Sequence, residues 1–180
     1  MAERGHHMAG TTTRPAPRNF VHIYLNDHLA GATAGVALAR RMAKAGHVPG
    51  AGRVLQDLAA EIAQDRASLL EIMAVLGAPV RDYKVYAAWL GEKAGRLKPN
   101  GHLLARSPLS NLEELEILRL GAEGKAAGWR TLRALADRDP RLDAVRLDEL
   151  IARARRQVDL LEELRVRAAD EVIQASPSPG

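Results

Sequence analysis

The chain has 180 residues, a net charge of +4 from 26 basic and 22 acidic side chains, and no cysteine. That length suits one domain with a substantial core, and the missing thiols exclude disulfides, thiolate metal sites and cysteine nucleophiles. Apolar residues make up 47% but aromatics only 3%, so Leu, Ala, Val and Ile must build the interior, a balance that favours helix over strand.

Residues 1–18 are polar and aperiodic, contain Gly and Pro, and carry His6 and His7. They are expected to be a disordered tail without the apolar stretch of a secretory signal. The histidine pair reads as incidental. A first helix is expected from Asn19, an N-cap residue, to Ala45, with Gly46 and Pro49 as stop signals. A second runs from Gly52 to Leu76, stopped by Gly77 and Pro79. A third opens at Ser107-Pro108, where proline's missing N–H costs nothing, and continues to Ala136. Asp139-Pro140 breaks it. A fourth starts between Pro140 and Asp148 and ends near Ile173, so the domain spans 19–174 and residues 175–180 fray.

Two connections are short, as neighbouring antiparallel helices require. The third, residues 78–106, is too long for a structureless loop in a compact domain. Within it Asp82 to Leu97 reads as helical, with Tyr83, Tyr86, Trp89 and Leu90 on one side and Trp89 facing inward. A connection of that length can travel the ~40 Å of a helix of this size, so the second and third helices are expected to be parallel and joined by a crossover.

Helical phase sorts the polar residues by face. In the first helix His28 lies within the stripe formed by Leu25, Ala32, Ala39 and Met42, and Asp27 lies on its shoulder. In the second, Asp65 falls among Leu58, Ile62, Leu69 and Ile72, with Glu61 on the edge. In the fourth, Arg165 and Gln157 lie in or beside the stripe of Leu150, Ala154, Val158 and Leu161. The third helix has two apolar sides. Its charged line of Glu116, Arg119, Glu123 and Arg130 either faces inward or forms a solvated ladder of ion pairs. The inward choice is taken, because the other helices also turn polar groups inward. Counting from the loops pairs His28 with Asp65, Glu116 with Arg165, and Glu123 with Gln157, and buried charge requires such pairing.

This layout of two helical hairpins, a long crossover and inward carboxylates resembles the ferritin-like four-helix bundles over residues 19–174. The resemblance implies an all-α, antiparallel four-helix bundle. It also implies a candidate metal set of Asp27, His28, Glu61, Asp65, Glu116 and Glu123, with Fe or Mn as the metal and oxidase or storage chemistry. The Glu-x-x-His motif of the class is missing, because Gln64, Arg119 and Ala126 stand three residues after Glu61, Glu116 and Glu123. Arg165 would moreover repel a cation. The preferred reading is therefore a metal-free structural core of His28, Asp65, Glu116, Glu123, Gln157 and Arg165. The protein is then non-catalytic, without a cofactor, and works by binding a protein partner or small ligand.

No apolar run is long enough to span a bilayer, and a cytoplasmic location is the expectation. Charges of both signs alternate and the aromatics are scattered, which argues against nucleic acid as a partner. A homodimer through an apolar face of the third helix is a further expectation.

Overall fold

The computed structural model describes residues 19–46, 48, 50–81 and 107–176. The expected tail, the expected helix at Asp82 to Leu97 with Trp89, and residues 177–180 lie outside the described residues. Among those described the chain is all-α and contains no strand. Its four helices are α1 (Phe20–Ala45), α2 (Gly52–Val75), α3 (Pro108–Ala136) and α4 (Ala144–Ala175). No helix among the described residues is long and apolar enough to cross a membrane.

The boundaries follow the local chemistry. The Asn19 side chain accepts a hydrogen bond from the His22 backbone N–H, and Asp143 does the same for Arg146, so each satisfies a donor that a helix start leaves orphaned. At the other end of α1, Gly46 takes a left-handed φ of 62° and its N–H bonds back to the Met42 carbonyl. Gly77, at φ 66°, turns the chain just after α2. Ser107 precedes Pro108 as expected, but its hydroxyl makes no cap bond and lies 3.4 Å from the Ser110 hydroxyl instead.

α1 packs on α2 and α3 on α4, and α1 also touches α3. The order of cross-helix contacts gives each pair its sense. Tyr24 Oη donates to Thr131 Oγ1 near one end of the α1–α3 pair, and Arg41 meets Glu114 near the other. Along α3 and α4, Arg119 pairs with Glu162 and Arg133 with Asp148. Along α2 and α4, Gln157 reaches Glu61 while Arg146 reaches Glu71. In every pair, moving up one helix moves down the other.

The buried apolar side chains form two clusters. One lies towards the α1–α2 loop and includes Ala39, Met42, Leu55, Leu58, Leu115 and Leu161. The other lies towards the α3–α4 turn and includes Leu25, Leu29, Met73, Trp129, Leu147 and Ala154. Burial at ~25 cal/mol per Å2 of apolar surface makes these clusters the main source of stability. Between them, at the level of Asp65, Lys125 and Gln157, the interior is polar.

The interior face of α3 is Leu115, Leu118, Ala122, Ala126, Trp129 and Leu132, spaced at three and four residues. The inward placement expected for the charged line is therefore corrected: Glu116, Glu123 and Arg130 are exposed. Both sides of α3 carry apolar residues, but this one offers a stripe over about five turns with Lys125 as its one charged interruption. Burying the other would have stranded three charges.

Candidate functional site

The polar layer is built around one carboxylate. Asp65 is only 2% exposed, and α2 places it in the stripe between Ile62 and Leu69. Its Oδ2 accepts from Lys125 Nζ of α3 at 2.5 Å and from Gln157 Nε2 of α4 at 3.2 Å. Its Oδ1 accepts from Arg153 Nε of α4 at 2.7 Å. Gln157, 1% exposed, spends both ends of its amide here. Its Oε1 accepts from Lys125, and its Nε2 also donates to Glu61 Oε2 at 2.8 Å. Two acids, Glu61 and Asp65, thus stand against two bases, Lys125 and Arg153, so the formal charge balances. Every member has a partner, which is what a buried polar network needs in order not to destabilise the core.

Lys125 is central to the network. Burial pushes its ammonium pKa down, and the neighbouring Asp65 pushes back up. Arg153 lies further out, with 23% of its side chain exposed against 14% for Lys125.

The predicted site residues do not stay together. Glu61, Asp65 and Gln157 are joined directly. His28 is elsewhere. Arg66 donates to Thr33 at 2.9 Å, which sets the α1–α2 register and leaves Asp65 roughly six residues, or ~9 Å, from the level of His28. The expected His28–Asp65 contact is therefore corrected. His28 is half-buried between α1 and α3. Its ring stands edge-on to Tyr24, with centroids 4.4 Å apart, and covers Gly128, where an added Cβ would lie 2.9 Å from the imidazole. Asp27 is exposed beside it.

The expected buried pair of Arg165 and Glu116 is also corrected. Arg165 donates to Glu162 through Nε at 3.0 Å and Nη2 at 2.6 Å, and Glu162 also meets Arg119 at 2.7 Å. Glu162 holds the Arg165 guanidinium pKa up, with a smaller contribution from Glu116. The level count matched Glu116 with Arg165, but Glu116 points outward. A carboxylate three residues away on the same helix face takes its place. Glu123, level-matched with Gln157, is exposed for the same reason.

Lys125 and Arg153 were missed. The signal was present: Lys125 interrupts the buried run of Leu118, Ala122, Ala126 and Leu132, and Arg153 precedes Ala154 at the edge of the α4 stripe. A lone lysine on an apolar face needs an acid opposite, and Asp65 was already in view.

The donor set does not fit the metal centre that the ferritin-like resemblance implies. Lys125 Nζ lies where a cation would meet Asp65 and Gln157, and Arg153 adds a second positive charge. Glu116 and Glu123 point away from the layer, and His28 lies outside it. Among the described residues no three of His, Cys, Asp and Glu come together in a metal-holding group. No protein-family model, curated protein or solved structure matches the chain.

Burial of His28 lowers its pKa below the usual 6.5, with Asp27 working in the opposite direction. Where the folded pKa lies below the unfolded one, the unfolded chain binds the proton first. Stability is then lost as pH falls from about 6.5 towards the folded value. In denaturant unfolding, His28→Gln should show a shallower loss across that range than the parent chain. Parallel curves would place the His28 ring in water.

Proposed function

We propose that the chain is a ferritin-like antiparallel four-helix bundle and that it acts as a non-catalytic binding module. The observation that carries this reading is Lys125: its ammonium serves as the internal cation of the bundle, held by Asp65 and Gln157. The opposed sense of the neighbouring helices supports the bundle assignment. The charge-balanced layer, sealed between two apolar clusters, supports the absence of chemistry inside. Asp65 and Gln157 are closed off from solvent, and each acid of the layer is hydrogen-bonded. Binding of a protein partner or small ligand then takes place on the outer surface of the helices.

Metal analysis of protein produced with Fe and Mn in the medium and purified without chelator tests this. The expected content is far below one equivalent, and unchanged in Asp65→Asn. Stoichiometric Fe or Mn that disappears in Asp65→Asn would overturn the reading in favour of a carboxylate metal protein.

A further inference from the structure

We propose that the outward face of α3 is a homodimer interface, on which two copies of the chain pack antiparallel about a two-fold axis at the level of Glu123. The face carries Leu109, Ile117 and Leu120, which are 46%, 39% and 66% exposed. Single exposed apolar residues are ordinary on any surface. These three share one stripe, which continues through exposed Gly124 and Ala127.

The glycine on this face needs a reason. A Cβ added at Gly124 would meet nothing within 4 Å, so it is not required by packing inside the chain. Gly128 differs, because it lies on the side facing α1 and its missing side chain makes room for His28. A mid-helix glycine costs ~1 kcal/mol relative to alanine, and a close approach by a second helix is a use that accounts for Gly124. Leu120 stands beside this low ground as the side chain to fill it.

Charge selects the occupant and its direction. Glu116 and Arg130 are both exposed and lie seven residues to either side of Glu123. An antiparallel copy therefore brings Glu116 of each chain to Arg130 of the other, while a parallel copy would set like against like. The same surface serves both partners, as a two-fold interface requires. In this arrangement Leu120 of one copy falls beside Ala127 of the other. The only repulsion comes from the two Glu123 carboxylates flanking the axis. Pairing through this face is independent of what the bundle interior holds.

Sedimentation equilibrium of the full chain tests the interface, with circular dichroism on every variant. The expected result is a species of twice 19.5 kDa. Leu120→Arg should weaken association by at least about tenfold without changing helicity, and Glu116→Arg or Arg130→Glu should each weaken it too. Combining the two charge reversals should restore the parent affinity, and Glu123→Gln should tighten it. A monomer at every concentration overturns the proposal. A dimer indifferent to Leu120→Arg, or additive weakening by the two reversals, overturns it as well. Loss of helicity in Leu120→Arg would do the same, since it would show the face covered from within the chain.

Discussion

Replacing Asp65 with alanine should cost about 3 kcal/mol, the lower end of the 3–5 kcal/mol typical for breaking a buried ion pair. The loss arises from what is left behind. Lys125 would keep only the Gln157 carbonyl, and Arg153 would keep a single long contact with Gln64 at 3.5 Å. Arg153 can swing into water, because its side chain is 23% exposed, and for that reason the lower figure is expected. Lys125 has less freedom. Adding Lys125→Met to Asp65→Leu should recover much of the loss, since two apolar residues would then bridge the clusters on either side. Denaturant unfolding of Asp65→Leu, Lys125→Met and the double variant gives the coupling. Additive effects would mean that the two side chains do not meet in solution.

Trp129→Ala should be comparably severe, about 3–5 kcal/mol, because it empties a large volume beside Leu25, Leu29 and Leu132. Trp129→Phe should behave quite differently. The indole Nε1 is buried with no acceptor among the described residues, and an unsatisfied buried donor costs ~1–3 kcal/mol. Phenylalanine removes that cost while filling most of the ring volume, so the two effects offset and the net change should be under about 1 kcal/mol. The comparison is made by denaturant midpoint at constant m-value. If Phe were as damaging as Ala, Nε1 would have to be hydrogen-bonded.

The four helices were readable because their ends are written in residues with local consequences. Asn19, Gly46, Gly77, Pro108 and Asp139-Pro140 act within a turn or two of themselves. The phases of α1, α2 and α4 were readable for a related reason: each has a single continuous apolar stripe. α3 has two, and local pattern cannot choose between them. The choice depends on what the other three helices present, and this is information the α3 segment does not contain. The candidate site inherited that ambiguity. Once Glu116 and Glu123 were turned inward, Lys125 was turned outward, and Asp65 lacked its actual partner. Level counting across the α3–α4 turn was sound, since Arg119–Glu162 and Arg133–Asp148 obey it. Across the α1–α2 loop the count slipped by about three residues, since Thr33 meets Arg66 and not the residue at 63 that a loop centred on 48 implies.

The polar layer also bears on which of several similar packings the chain adopts. A bundle lined by Leu and Ala is nearly periodic along its axis, and sliding one helix by a turn, ~5.4 Å, returns leucines to leucine-shaped gaps. Oil alone distinguishes such neighbours weakly. The layer breaks the periodicity, because Asp65, Lys125 and Gln157 each occur once and must lie at one height on three different helices. A slip of α2 by a single turn would press Asp65 against Ala122 or Trp129 and leave Lys125 facing aliphatic carbon. The three residues work as a vernier mark: they add little to how strongly the helices hold together, and they fix the one alignment in which the helices can do so.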